Sequence, residues 1–245
     1  MNKFVKRTLF PSCRESPPAS SCSSFVSIQQ ALANDWEQRK LGELIRELST
    51  GKSVNSLDRR GGDGDICVLK TSCVSDNIFE PNERKQVVEA EQDIARCPVE
   101  KDTVIVSRMN TPELVGCCGH CASDMGSLFL PDRLWKVSLE ESIDSYFVYT
   151  LLASATYQTR LKSTATGTSG SMKNIAQPSF LDLSIPVAKS NEQQRVGSLF
   201  AKLDSLITLH QREDLPPRCA LATILSVKNA TIITLERWIS PWSSL

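Results

Sequence analysis

The chain has no excess of charge of either sign and very little histidine. Lys plus Arg and Asp plus Glu each number 28 in 245 residues, so the formal net charge is zero. A protein that binds nucleic acid unaided is usually basic. The balance therefore argues against a freestanding nucleic-acid binder, although partners of a subunit can supply part of the phosphate contact. With His120 and His210 as the only imidazoles, histidine-based catalysis has little to use.

Long hydrophobic runs are also missing. No apolar stretch of the sequence is long enough to cross a bilayer. Lys3, Lys6 and Arg7 precede Leu9, but no extended apolar core follows, which argues against a secretory signal. The hydrophobic content of 40% is ordinary for a globular protein. We therefore expect a cytoplasmic protein that is not attached to a membrane and buries one core.

Cysteine is abundant, but its pattern does not favour disulfides or a metal. Nine cysteines are an odd number, and a chain of this length needs no covalent staples. The segment Cys117–Cys121 also contains His120, yet only Cys118 and Cys121 form a close pair and no second cluster follows. Since structural zinc takes four protein ligands, we interpret the segment as an apolar strand and turn in which cysteine is a small hydrophobe.

Sequence signatures of enzymes are missing as well. No GxGxxG pattern and no Ser/His/Asp set is present. The Ser49–Ser53 segment, STGKS, lacks the strand and the first glycine of a phosphate-binding loop. Neither Pro17-Pro18 nor Pro216-Pro217 has the neighbours of a methyltransferase Asn/Asp-Pro-Pro-Tyr/Phe motif. The sequence therefore predicts a protein that is not an enzyme and binds no cofactor.

Many short strands and few helices are indicated between residues 36 and 161. Helical spacing of leucines predicts a short helix or helical turn over Trp36–Leu48. Asp144 is placed to cap a helix that extends to about Leu161. Five apolar runs predict strands: Ile66–Lys70, Thr103–Ser107, Leu114–Cys118, Ser127–Leu130 and Leu134–Leu139. We therefore expect an α+β domain with a mixed, short-stranded sheet.

The stretch Gly167–Arg212 is the most informative part of the sequence. It contains a polar loop over Gly167–Ile175, a brief strand over Phe180–Pro186 and an amphipathic helix over Asn191–Arg212. The helix has coiled-coil-type spacing of Val196, Leu199, Phe200, Leu203, Leu206, Ile207 and His210. On periodicity alone, this face either packs on its own domain or forms a subunit interface.

Two segments resemble the specificity subunits of type I restriction–modification systems. Their conserved helix has the pattern matched here by Glu192, Gln193, Val196, Phe200, Leu203, Asp204, Ile207, Leu209, His210, Gln211 and Arg212. The segment Asp35–Leu44, DWEQRKLGEL, resembles the opening of their target-recognition domain. The resemblance spans about Asp35–Arg212, from the start of one recognition domain to the end of one helix.

This resemblance implies a non-catalytic function in DNA recognition. Its implied partners are double-stranded DNA, a methyltransferase subunit and, through the complex, a restriction subunit. The family methylates adenine with S-adenosylmethionine and its restriction subunit hydrolyses ATP, and we expect neither cofactor to bind this chain. In the family, the helix leaves the domain and pairs with its counterpart between two DNA-reading modules. The alternative is a stand-alone or degenerate protein-interaction module without DNA specificity of its own.

The sequence departs from that family at both ends. Residues 1–34 are rich in Ser, Pro and Cys and predict a disordered leader. The recognition domain is expected over 35–190 and the spacer or dimerisation helix over 191–213. Pro216-Pro217 stops the helix, and the atypical tail over 214–245 does not resemble a second recognition domain. The chain is therefore interpreted as a half-subunit, which has to pair with a second half, or as a truncated product.

Loops that leave strand ends contain the candidate DNA contacts. Arg108 and Asn110 are the candidates for base edges, and Lys173 is the candidate for the phosphate backbone. The complete candidate set is Lys70, Thr71, Arg108, Asn110, Thr168, Ser169, Lys173 and Asn174. The alternative for each is an ordinary polar residue of a surface loop.

Overall fold

A computed structural model of the chain describes residues 36–62, 64–167 and 171–212. The predicted leader over 1–34 and tail over 214–245 lie outside this part, as do Thr168 and Ser169. No helix in the described part is long and apolar enough to cross a membrane.

The described part has the predicted α+β class. Its strands are Glu37–Lys40 (β1), Ile45–Thr50 (β2), Cys67–Leu69 (β3), Val74–Ser75 (β4), Ile78–Phe79 (β5), Arg84–Gln86 (β6), Pro98–Val99 (β7), Thr103–Ser107 (β8), Met109–Asn110 (β9), Cys118–Cys121 (β10), Met125–Phe129 (β11), Leu134–Leu139 (β12), Lys173–Asn174 (β13) and Ser184–Val187 (β14). The α-helices are Ser145–Ala153 (α1), Ala155–Thr164 (α2), Gln177–Leu181 (α3) and Ser190–Arg212 (α4). Short 3-10 turns occupy Leu41–Glu43, Thr71–Cys73 and Glu89–Ile94.

Two four-stranded sheets form the centre of the domain. One is antiparallel with the order β10-β8-β12-β2, and the other has the order β6-β3-β11-β7 with β3 and β11 parallel. All five residues of strand β8 are buried. Since successive side chains point to opposite faces of the sheet, β8 is buried on both faces. Val104 and Val106 join the core beneath the helices, whereas Ile105 joins the core that includes residues of the second sheet.

The short helix or helical turn predicted over Trp36–Leu48 is only the 3-10 turn Leu41–Glu43, and the rest of that segment is not helical. The segment forms β1, a 3-10 turn and the start of β2. Leu41 and Leu44 are fully buried in the turn, and their spacing imitates one face of a helix. Strand β1 pairs with β14 and β2 pairs with β12. The partners lie far along the chain, so this pairing is invisible to local spacing.

Several other boundaries differ from the sequence prediction, including the strands predicted over Ile66–Lys70 and Ser127–Leu130, which are Cys67–Leu69 and Met125–Phe129. The strand predicted from Leu114 begins only at Cys118, because the chain turns through Gly116 at φ +82°. The predicted helix from Asp144 ends at Ala153, and a second one starts after the extended Ser154. Phe180 and Leu181, predicted as part of a strand, are the last residues of helix α3. The strand β14 begins only at Ser184. The strands Thr103–Ser107 and Leu134–Leu139 are confirmed as predicted.

The Asp144 cap is confirmed in detail. Its Oδ1 accepts a hydrogen bond from Phe147 N at 2.7 Å, at the start of α1. This bond satisfies one of the free N–H groups at the helix start. The predicted amphipathic helix at the end of the domain is confirmed as α4.

Candidate nucleic-acid interface

Three segments with predicted DNA contacts lie side by side. Strand β9 pairs antiparallel with β13, which places Lys173 opposite Asn110. The Nδ2 atom of Asn110 donates a hydrogen bond to Thr71 O at 3.1 Å. We call the resulting polar surface, made of Lys70–Ser72, Arg108–Asn110, Lys173–Asn174 and the adjacent Arg133, the loop surface.

Arg108 is held on two sides of its half-buried side chain. Its Nε donates to Asn174 Oδ1 at 3.3 Å, and its guanidinium carbon lies 5.8 Å from the centroid of the Trp135 ring. This separation is within the range of a cation–π interaction. The backbone is also fixed, because Arg108 N donates to Arg133 O and Arg108 O accepts from Ile175 N. Arg108 is therefore a positioned cation.

Asn110 does not fit its predicted role as a base reader. The residue is 7% exposed, and its amide donates to Thr71 O and to Ser107 Oγ, each at 3.1 Å. Its Oδ1 accepts from Thr111 N at 2.9 Å. Both amide protons are thus used inside the domain, whereas a bidentate contact with adenine needs a free donor and a free acceptor. Asn110 holds two loops together.

Lys70 has a carboxylate partner. Its Nζ lies 3.3 Å from Glu83 Oε2, which also accepts from Ser72 Oγ at 3.0 Å. The Ser72 hydrogen bond and the Lys70 ammonium lower the pKa of Glu83 below its ordinary value. Both members of the ion pair are partly exposed, and such pairs are weak. A phosphate at this position has to compete with Glu83, so Lys70 is a weaker candidate than Lys173.

Lys173 and Arg133 complete the positive charge of the loop surface. Lys173 is half-buried and has no ion pair with any described residue. Arg133 is exposed, and its carbonyl accepts from Arg108 N and Met109 N at 3.1 and 3.3 Å. Sequence reasoning missed Arg133, although the turn between two predicted strands was a usable signal.

Three of the seven predicted subunit-interface residues pack in or against the core of the domain. Phe200 and Leu203 are 2% and 9% exposed in the main core, and Val196 packs against that core. Because α4 packs on α1, Phe200 and Leu203 are not available to a partner, and Val196 is half-buried. Leu199 and Leu206, at 47% and 42% exposed, lie outside this packing. Ile207 is half-buried, and the side chain of His210 is outside the described part.

Polar contacts fix the same helix to the domain. Gln193 is 2% exposed, accepts from Asp144 N at 3.0 Å and donates to Ala188 O at 2.7 Å. Tyr146 donates its hydroxyl proton to Asp204 Oδ2 at 2.7 Å. We call the contact between α1 and α4 the helix seam: Asp144, Tyr146, Gln193, Val196, Gly197, Phe200, Leu203 and Asp204.

Gly197 lets α4 approach the start of α1. A Cβ atom at this position would overlap Asp144 Oδ1, the atom that caps α1. Helix α4 can therefore lie this close to α1 only because residue 197 has no side chain. Gln193, a residue of the family pattern, and Gly197 therefore both act within the fold.

The buried cysteines serve the core as the sequence predicts. Cys117, Cys118 and Cys121 are at most 4% exposed and belong to the two cores. Burial raises the pKa of each thiol, which keeps these residues protonated. No group of three or more potential metal ligands occurs within residues 36–62, 64–167 and 171–212.

A polar cleft of about 500 Å³ opens at the other end of the central sheet. Arg46, Thr103 and His120 lie in its wall. His120 Nε2 is 2.9 Å from Ser145 Oγ, and burial lowers the pKa of the imidazole. Thr103 and Ser107 are the two ends of β8. The cleft and the loop surface therefore lie at opposite ends of that strand.

Comparison with known proteins gives one family. The sequence model of the type I restriction modification DNA specificity domain matches residues 33–215. No protein of curated function matches the sequence.

Two solved structures share the fold at low sequence identity. The S subunit of a type I restriction-modification system from M. genitalium is 18% identical with a TM-score of 0.51 over 71% of this chain and 40% of that chain. A structure from work on complex assembly and conformational transition of the type I R-M system is 16% identical with a TM-score of 0.51 over 89% and 52%. The chain thus spans about half or less of the length of these proteins. Because the family model covers most of the sequence, the chain belongs to the type I restriction modification DNA specificity family, which is non-catalytic.

Proposed function

We propose that the chain recognises a specific DNA half-site and so directs adenine methylation and restriction by a type I restriction–modification complex. The observation that carries the proposal is the convergence of four separate segments into one surface that contains Arg108, Arg133 and Lys173. Its partners in this proposal are double-stranded DNA, a methyltransferase subunit and, through the complex, a restriction subunit.

The loop surface offers the two kinds of contact that sequence-specific binding requires. Phosphate contacts set the position on the duplex, and base-edge contacts specify the sequence. Lys173 and Arg133 are suited to phosphates, because each is a cation without an ion pair among the described residues. Arg108, held by Asn174 and Trp135, is suited to a base edge. Asn110 is left out of the binding set because its amide protons are used internally.

We propose that the chain acts as a half-subunit. Its described residues contain one domain and one long helix. We propose that a second half-subunit supplies the other recognition domain. The exposed Leu199 is the candidate contact.

Salt-dependent DNA binding by the complex with the methyltransferase subunit tests this function. Lys173→Ala is expected to weaken binding to all sequences alike and to reduce the log–log salt slope by about 0.9, because one phosphate contact releases its counterion. The matched control is Lys101→Ala, which removes an exposed lysine of the cleft at the opposite end of β8.

Two results would contradict the proposal. Equal slopes for the Lys173 variant, the Lys101 variant and the unaltered complex would remove the loop surface from the DNA interface. A complex that assembles but binds random and selected DNA equally would favour the alternative, a protein-interaction module without DNA specificity.

A further inference from the structure

We infer that Arg108 reads a guanine in the major groove of the half-site, with Asn174 and Trp135 as its positioning residues. This inference rests on the proposed function and specifies which base of the half-site is recognised. Three features of the Arg108 side chain carry the argument: the atom that is already bonded, the chemistry of the group that bonds it, and the ring beside it.

The bonded atom is Nε, which leaves both terminal nitrogens of Arg108 available. Nε donates to Asn174 Oδ1 at 3.3 Å, and neither terminal nitrogen has a hydrogen-bond partner in the described part of the chain. Two parallel N–H donors at the end of a planar group match the N7 and O6 acceptors of guanine. Adenine offers N7 but presents an N–H donor beside it. Since Arg has no acceptor, this end of the side chain favours guanine.

The group that bonds Arg108 is a neutral amide. Asn174 orients the guanidinium without neutralising it, whereas Lys70 in the same surface is paired with the Glu83 carboxylate. A carboxylate at position 174 would compete with the base for the terminal N–H groups. The amide therefore holds the side chain and leaves its charge and its donors to the ligand.

The ring beside Arg108 belongs to a rigid strand. Trp135 is 3% exposed in β12, the central strand between β8 and β2. The guanidinium lies 5.8 Å from the ring centroid. An arginine restrained in this way loses less side-chain freedom on binding than a free one. Lys173 and Arg133 lack such restraint in the described residues and serve phosphates, so the geometry separates base reading from backbone binding.

The test uses DNA selected from a random pool by the complex of the full chain with its methyltransferase subunit. Each guanine of the selected half-site is replaced in turn by 7-deazaguanine, which lacks the N7 acceptor, and by inosine, which retains N7 and O6. At one position 7-deazaguanine is expected to weaken binding about tenfold, because one bond of a bidentate pair is lost, while inosine leaves binding within about twofold.

The same position is then tested with protein variants. Arg108→Ala is expected to abolish the 7-deazaguanine effect there and leave binding to random DNA unchanged. Asn174→Ala is expected to reduce the effect to less than about threefold, because Arg108 loses its orientation. The control is Arg46→Ala, an exposed arginine of the cleft at the other end of the sheet, for which the effect is expected to be unchanged.

The outcomes separate this inference from the proposed function. A half-site without guanine, or equal losses on selected and random DNA for Arg108→Ala, overturns guanine reading and leaves DNA recognition standing. An unchanged 7-deazaguanine effect in Asn174→Ala overturns the positioning role. A complex that selects no sequence overturns both proposals.

Discussion

The loop surface and the helix seam both join segments that are distant in sequence, but different forces hold them. In the loop surface, amide and backbone hydrogen bonds connect half-buried polar residues such as Arg108 and Asn174. In the helix seam, the buried apolar side chains of Phe200 and Leu203 pack in the main core. Half-buried residues of the loop surface such as Arg108 can therefore change binding with little effect on stability, whereas residues of the seam, and the buried Asn110 of the loop surface, mainly change stability.

The largest expected effect is in the helix seam. Phe200→Ala should lower the free energy of unfolding by about 3–5 kcal/mol, because it leaves a cavity in the main core. Leu199→Ala, one position earlier on the exposed side of α4, should change it by less than about 1 kcal/mol. Urea unfolding of the full chain measures both. Similar losses for the two variants would mean that α4 does not pack on α1 as described.

The second prediction concerns the buried amide of the loop surface. Asn110→Ala should lower the free energy of unfolding by about 1–3 kcal/mol, since it leaves Thr71 O and Thr111 N without their partner. Arg108→Ala is the comparison and should stay within about 0.5 kcal/mol, because its side chain is only half-buried. If Arg108→Ala were the more destabilising change in urea unfolding, Arg108 would be a structural residue.

Gly197 in the helix seam tests the close approach of α4 to α1, because the sign of the change in stability on Gly197→Ala depends on that approach. In an exposed helix interior, Gly→Ala gains up to about 1 kcal/mol. Gly197→Ala should instead lower the free energy of unfolding by about 1–2 kcal/mol, because the new methyl group displaces the Asp144 cap. The control is Ser198→Ala, its exposed neighbour on the helix, which should be neutral or stabilising. A stabilising Gly197→Ala, seen as a higher Tm, would contradict the close approach of α4 to α1.

The smallest expected effect is the pH dependence contributed by His120. Burial lowers the pKa of the folded imidazole below its unfolded value of about 6.5. Protonation then favours the unfolded chain, so this contribution is complete above about pH 6.5 and is lost as the pH falls through the lower folded pKa. The charges of Asp102 and Asp144 oppose this lowering of the pKa. Urea unfolding between pH 7.5 and about pH 5 should show a shallower decline for His120→Gln than for the unaltered chain. Equal declines would remove His120 as a contributor.

Features that depend on neighbouring residues were predictable from the sequence. The Asp144 cap is confirmed because capping involves residues three positions apart. The strand Thr103–Ser107 is confirmed because a short β-branched run suits a buried strand. The strands of the segment Trp36–Leu48 were not predicted because they pair with β14 and β12, well over 80 positions away in some pairs.

The two possible functions of the last helix could not be separated by periodicity. The spacing of Val196, Phe200 and Leu203 is the same whether the helix packs on a partner or on its own domain. Their burial against α1 shows that this face belongs to the domain. Among the other described positions of the subunit-interface prediction, Leu199 and Leu206 are exposed and Ile207 is half-buried.

By itself, the sequence determined the α+β class, the two inner strands β8 and β12 of the central sheet, the presence of the long helix α4 and the resemblance to one family, because each rests on local patterns of side chains. Only the tertiary structure decided which polar loop residues can act on a ligand. Arg108 and Asn110 are two positions apart and both suit base recognition. Contacts from residues 66 and 39 positions away determine that Arg108 retains its terminal donors and that Asn110 does not. The physical reason is that a donor already hydrogen-bonded inside the fold cannot also donate to DNA. The partner that satisfies it comes from a distant part of the chain, which only the tertiary structure reveals.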